Sequence, residues 1–278
     1  MGGGQSTSNQ QPKQKQKQAA SKNPDLQKAI VKNNYHTMEE LQDGLRQAGL
    51  ESSNLIIGID YTKSNTWTGK NSFNNYSLHA LFDNMLNPYQ RVISIIGRTL
   101  QPFDDDNLIP VYGFGDLSTQ DKTVFSFMQD DQPCNGFEEV LRRYNEITPN
   151  VRLSGPTNFA PLINKAIEIV EKTRQYHILL IIADGQVDAE KATKAAIERA
   201  SNYPLSIVTI GVGDGPFEKM EDFDDDLGNS KFDNFNFVNY QNVVEGPRVE
   251  NPEIAFATAA MNEVPTQYLC CKKLGYLN

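Results

Sequence analysis

Leu55-Ile-Ile-Gly-Ile-Asp-Tyr-Thr-Lys-Ser-Asn65 joins an apolar run to a polar cluster without a break. Residues 54–60 read as one strand, apolar at consecutive rather than alternate positions between Asn54 and Asp60. That is the pattern of a central parallel strand covered by helices on both faces. The run ends in Asp60, Thr62 and Ser64, so one carboxylate and two hydroxyls stand on alternate residues of the turn leaving the strand. A buried strand that stops in three inward-aimed oxygens points to a site at the carboxyl edge of a sheet.

Similar apolar runs recur at 108–114, 177–183 and 206–212, with a weaker one at 235–240. Helical periodicity lies between them at 88–100, 137–146, 159–173 and 188–201, and ahead of them at 37–49, which opens on Thr37 with Glu40 three residues later and closes on Gly49. Residues 123–128 allow a short extra strand, and a last helix is expected from about 252 to 264 with a tail after Pro265. Strand and helix in alternation specify an α/β fold: a doubly wound, mostly parallel sheet flanked by helices. The expected organisation is a Gln/Lys-rich tail over 1–32, one folded domain over 33–270 and a short C-terminal tail over 271–278.

Three strands end in polar loops: Asp60/Thr62/Ser64, Gly115-Asp116 and Asp184-Gly185. A fourth loop, Ser154-Gly-Pro-Thr-Asn158, precedes a helix. In a parallel sheet these carboxyl ends share one edge, so the loops converge although they are far apart in sequence. Oxygen-only ligands suit a hard divalent cation of the magnesium kind. Asp60 and Asp184 would balance its charge, while the neutral hydroxyls would leave it able to accept a further carboxylate from a partner.

Composition bounds the rest. The chain has 278 residues, long enough for one large α/β domain, and three cysteines without zinc-ligand spacing, which read as reduced thiols. Residues 1–24 hold Lys13, Lys15, Lys17 and Lys22 and no acid, while the remainder carries 22 basic and 35 acidic side chains, net −13. A body so acidic repels nucleic acid. No stretch reaches the ~18 apolar residues of a membrane helix and no signal-type apolar segment opens the chain. The N-terminus, Met1-Gly-Gly-Gly-Gln-Ser6, fits the myristoylation pattern at Gly2, and an acyl chain with a basic tract can hold a protein on an anionic membrane surface. The expected location is therefore cytoplasmic, peripheral at the plasma membrane or another cytoplasmic-face membrane; an ordinary solvated tail is the plainer alternative.

Asp60-x-Thr-x-Ser64, Thr157 of Gly155-Pro-Thr-Asn-Phe159 and Asp184 of Ile181-Ile-Ala-Asp-Gly185 resemble the metal-ion-dependent adhesion site of a von Willebrand factor A domain. Asn74-Asn-Tyr-Ser-Leu-His79, Ile95-Ile-Gly-Arg98, Pro110-Val-Tyr-Gly-Phe-Gly-Asp116 and Cys134-Asn-Gly-Phe-Glu138 resemble the copine family in particular, and within it the copine-like domain of plant RING-type ubiquitin ligases. The resemblance covers about residues 33–270. It implies a Rossmann-like domain that binds Mg2+, with Mn2+ or Ca2+ as alternatives, through Asp60, Thr62, Ser64, Thr157 and Asp184, and that docks an acidic side chain of a protein partner. Asp116 and Asn158 are candidates for support behind the ligands. Thr62 stands where A domains usually have serine, and the hydroxyl is retained. Copines carry paired C2 domains ahead of this domain and the plant ligases a RING after it. Neither is expected within these residues, since Cys270 and Cys271 without a nearby histidine do not build a RING.

Other readings are weaker. A phosphoaspartyl hydrolase would place a second carboxylate two residues after its nucleophile, where this chain has Thr62. Gly211-Val-Gly-Asp-Gly215 lacks dinucleotide-motif spacing and reads as a turn. His36, His79 and His177 read as structural or surface residues, Asp104-Asp-Asp106 and Asp224-Asp-Asp226 as solvated acidic turns, and Cys270 and Cys271 as partly buried thiols rather than acylation sites. No catalytic residues are expected. Replacing Gly2 by Ala is expected to move the protein from the membrane to the soluble fraction; unchanged partitioning would remove the acyl anchor from the account.

Overall fold

A computed structural model describes residues 35–277 apart from 186, 226–227 and 247–248. The N-terminal tail with Gly2 and its four lysines lies outside the described residues. In chain order the elements are α1 (Met38–Gln47), β1 (Asn54–Asp60), α2 (Pro88–Leu100), β2 (Leu108–Ile109), β3 (Val111–Phe114), β4 (Phe125–Ser126), β5 (Cys134–Asn135), α3 (Gly136–Ile147), α4 (Ala160–Thr173), β6 (His177–Ala183), α5 (Glu190–Ala200), β7 (Leu205–Gly211), α6 (Glu218–Asp225), β8 (Phe235–Asn239), α7 (Tyr240–Val244), α8 (Pro252–Met261) and α9 (Val264–Lys273).

Six strands form one sheet in the order β4-β3-β1-β6-β7-β8, parallel throughout except for the antiparallel edge strand β4. This is the expected doubly wound sheet. Successive residues of the central strands feed different layers. Leu55, Ile57 and Ile59 of β1, with Ile178, Leu180 and Ile182 of β6, face the core that α2, α8 and α9 cover. Ile56 with Leu179, Ile181 and Ala183 face the core under α4, α5 and α6. Burial of both faces is why these strands read as unbroken apolar runs. The chain leaves β1 for β3 on one side and returns to β6 on the other, so the winding direction reverses between β1 and β6. Ligands of such sheets bind outside the carboxyl ends at that reversal, and Asp60 and Asp184 are the residues there.

Local chemistry fixes the helix that backs this edge. The Asn87 side chain accepts from the Gln90 main chain and the Gln90 side chain accepts from the Asn87 main chain, a reciprocal cap with Pro88 in the first turn. Thr37 likewise caps α1 through the Glu40 NH.

Four expectations need correction. The 108–114 run is two strands, because Pro110 has no NH to give; β2 pairs with β5 in a separate two-stranded sheet and only β3 joins the main one. The last helix is two, with Pro265 inside the first turn of α9 rather than after a helix end. Residues 271–277 are therefore not a loose tail, since Cys271 is buried and Tyr276 and Leu277 pack on the core. The acidic stretch around Asp224 is the end of α6, where the Asp224 carboxylate accepts from the Phe237 NH at 3.2 Å. The cysteines are free thiols as expected, and burial pushes that of Cys134 up to about 11.

Gly58 lets α4 lie directly on β1: a Cβ there would meet the Leu162 side chain at 2.1 Å. Gly58→Ala is expected to cost about 1–3 kcal/mol in urea unfolding. The cost should shrink on a Leu162→Ala background, because the two sites share one contact; an undiminished cost would place the strain elsewhere.

Candidate metal centre

Asp60 and Asp184 sit at the ends of adjacent strands whose register pairs Ile59 with Ile182, and both carboxylates are fully buried. Asp60 Oδ1 accepts from the Thr62 NH at 2.8 Å, which turns the chain sharply out of the strand. Asp184 Oδ2 accepts from the Thr68 hydroxyl at 2.9 Å. The other oxygen of each, Asp60 Oδ2 and Asp184 Oδ1, is buried with no hydrogen-bond partner among the described residues. Burial first, and for Asp60 then the charge of Asp184, push both carboxyls above their ordinary range. The hydroxyls of Thr62 and Ser64 lie 3.1 Å apart beside them.

Thr157 joins through its main chain. Its loop is pinned to the Asp60 turn by Lys63 NH to Ser154 O at 2.6 Å and Ser154 NH to Tyr61 O at 3.2 Å. It is pinned to the Asp184 loop by Thr157 NH to Asp188 Oδ2 at 2.8 Å and Asp188 NH to Thr157 O at 3.0 Å. All five expected ligand residues thus belong to one set of interlocked loops.

The two candidates for support serve their own loops instead. The Asp116 carboxylate accepts from the Ser118 NH and hydroxyl at 3.0 and 2.6 Å and from the NH and hydroxyl of Thr119. Burial pushes its carboxyl up, but these donations outweigh it and hold it below the usual range. Its neighbour Gly115 lies closer to the site: a Cβ there would meet the Thr62 methyl at 2.4 Å. Asn158 accepts from the Ala160 NH at 3.0 Å at the start of α4 and donates to Asp121 O at 2.9 Å.

Sequence reasoning missed the residues behind Asp60. Three side chains converge on its main-chain oxygen: His79 Nε2 at 2.8 Å, Tyr89 OH at 3.2 Å and Asn65 Nδ2 at 3.4 Å. A carbonyl only accepts, so His79 Nε2 carries the proton and Nδ1 accepts from the Tyr144 hydroxyl at 2.8 Å. Burial lowers the His79 pKa to about 4, keeping it neutral. Tyr61 and Tyr89 stack on its two faces, with centroids 4.6 and 4.1 Å away. His79 is structural, as expected, and it props the site. Thr68 and Asp188 were also missed; no sequence spacing ties them to the ligands. Asp214 of the Gly211–Gly215 stretch makes a turn, its carboxylate accepting from the Asn71 and Ser72 NH groups, both at 2.8 Å.

Among the described residues, no group of three or more His, Cys, Asp or Glu side chains could hold a metal. The candidate centre is instead two carboxylates with hydroxyls. Two buried carboxylate oxygens without partners, next to neutral hydroxyl oxygens, fit a hard divalent cation, which would replace the missing donors and cancel the repulsion.

The sequence profile of the copine family, "Copine", matches residues 77–278, and this chain belongs to that family. It is 51% identical over 256 residues to the Arabidopsis thaliana E3 ubiquitin-protein ligase RGLG3, covering 87% of this chain and 70% of that protein. Against four further Arabidopsis ligases of that series it spans 53% to 65% of their length. Identity to the Caenorhabditis elegans Copine family protein 1 is 49% over 243 residues, which is 87% of this chain and 22% of that protein. A manganese-loaded TRAP protein of Plasmodium vivax is 10% identical, with 73% of this chain and 74% of that chain covered at a TM-score of 0.48, a likeness too slight to bear on the ligand.

His79→Phe keeps the ring but removes both hydrogen bonds, leaving the Tyr144 hydroxyl without its acceptor. Urea unfolding is expected to show a loss of about 1–3 kcal/mol; an unchanged midpoint would mean that stacking alone holds this wall.

Proposed function

We propose that this copine-family chain is a protein-docking module that works through a divalent cation held by Asp60, Thr62, Ser64, Thr157 and Asp184. The observation that carries the reading is the pair of buried carboxylate oxygens without partners, Asp60 Oδ2 and Asp184 Oδ1. Asp60 and Asp184 supply the negative charge, one oxygen of each being locked by Thr62 or Thr68 so that the other is presented in a fixed direction. Thr62 and Ser64 add oxygens without charge. When bound, the ion supplies an electrophilic centre that an acidic side chain of a partner can reach. Mg2+ is the ion we favour, with Mn2+ and Ca2+ as substitutes, since all three take hard oxygen ligands.

The likeness to ubiquitin ligases supports a second, compatible reading. In it, this domain recruits a protein for ubiquitination by a larger assembly, the ligase chemistry itself residing outside the residues described. A myristoylated Gly2 and the four tail lysines would keep the module on the cytoplasmic face of a membrane. No helix of the described residues is long and apolar enough to cross one. Hydrolysis through an aspartyl phosphate has less support: the position two residues after Asp60 is Thr62, whose NH is bonded to that carboxylate.

The Asp60→Asn/Asp184→Asn double variant tests the ion site. In chelator it is expected to melt higher than the parent, by an amount worth about 1–3 kcal/mol, because two buried uncompensated charges are removed. Adding Mg2+ or Mn2+ should raise the melting temperature of the parent only. Equal stabilisation of both proteins would rule the site out.

A further inference from the structure

Asn65 closes the turn that leaves β1, and its side chain is fully buried. Its amide nitrogen stands 3.1 Å from Thr62 O, 3.4 Å from Asp60 O and 3.5 Å from the Thr62 hydroxyl oxygen. Carbonyls only accept, so the NH2 end faces them and the amide oxygen faces α2. There the Tyr89 hydroxyl donates to it at 2.7 Å, with Asp60 O a more distant acceptor of the same hydrogen at 3.2 Å. The main chain of Asn65 is tied as well: its NH donates to Thr62 O at 3.3 Å and its carbonyl accepts from the Leu78 NH at 2.9 Å. His79 reaches Asp60 O alone, whereas Asn65 reaches both Asp60 and Thr62.

Thr62 is held from several sides as a result. Its NH is given to Asp60 Oδ1 at 2.8 Å and its carbonyl to Asn65. Its methyl lies against Gly115, where a Cβ would meet it at 2.4 Å. A β-branched side chain with few rotamers, fixed at these points, has little freedom left for its hydroxyl, which stands 3.1 Å from that of Ser64. The spacing of the two hydroxyls is therefore imposed by the fold rather than by an ion. Mg2+ demands near-octahedral oxygens at about 2.0–2.1 Å, while Ca2+ takes a larger and looser shell at about 2.3–2.6 Å. Rigid spacing favours the smaller ion.

We propose that Asn65, anchored by Tyr89, is a positioning residue that fixes the Thr62 and Ser64 hydroxyls and thereby makes the centre select a small dication over Ca2+. The proposal rests on the cation reading above and adds to it a residue that is not itself a ligand. Side chains behind the ligands of a metal site commonly govern its affinity in this way. A purely structural role, satisfying buried carbonyls, would lower stability and leave ion selectivity unchanged.

Mn2+ binding to the full chain, read from the electron paramagnetic resonance of free Mn2+ with Mg2+ and Ca2+ as competitors, separates the two roles. The parent is expected to prefer Mg2+ to Ca2+. Asn65→Ala should weaken Mn2+ and Mg2+ on the order of tenfold and Ca2+ by less, so that the ratio moves toward Ca2+. Tyr89→Phe keeps the ring stacked on His79 and removes only the hydroxyl; it should move the ratio the same way by a smaller factor. Melting in chelator shows which variants fold, and Tyr89→Phe decides alone where Asn65→Ala does not. An unchanged Mg2+/Ca2+ ratio in either folded variant, or a parent that prefers Ca2+, overturns the role of Asn65 while sparing the ion site. A parent that binds no Mn2+, or that binds it no better than Asp60→Asn/Asp184→Asn, overturns the cation reading and this inference with it.

Discussion

Two carboxylates are buried side by side because the sheet leaves them no alternative. The register that pairs Ile59 with Ile182 brings Asp60 and Asp184 to the same edge, at the point where the winding of the sheet reverses. Each has one oxygen answered by a donor, the Thr62 NH for Asp60 and the Thr68 hydroxyl for Asp184, and one answered by nothing among the described residues. A fold pays for such an arrangement in stability, since buried like charges repel and lack water. The arrangement makes physical sense when a cation supplies the missing partner.

The surroundings act to keep those oxygens where they are. Behind Asp60, a stacked Tyr61–His79–Tyr89 wall delivers two of the three donors to a single carbonyl, and Tyr144 anchors its histidine from α3. In front, the Thr157 loop is tied to the Asp60 turn at one end and to Asp188 at the other. The neighbouring loops are braced in the same way, by Asp214 and Asp116. A centre built this way does not need its ligand to order it, so more of the interaction energy is available for binding.

Much of this was legible in the sequence, and the limits have physical causes. β1 and β6 were read to the residue because burial on both faces gives continuous apolar runs between polar stops. The candidate ligand residues could be gathered from distant positions because strand ends of a parallel sheet share an edge, and the loops that carry them are tied together. Pro110 hid a strand break inside an apolar run, and Pro265 looked like an end although it opens α9. His79, Thr68 and Asp188 could not be found by spacing, since each reaches the site across the fold rather than along the chain. Asp116 and Asn158 look like ligand support in sequence because they follow a strand and precede a helix; their side chains are consumed by the turns they make.

The central claim is that one hard dication belongs between Asp60 and Asp184. Anomalous diffraction from crystals of the protein grown with Mn2+ tests it most directly. The account predicts a single strong peak within coordination distance of both carboxylates and of the hydroxyls of Thr62 and Ser64. A peak elsewhere, or none at that edge of the sheet with both carboxylates still buried there, would contradict it.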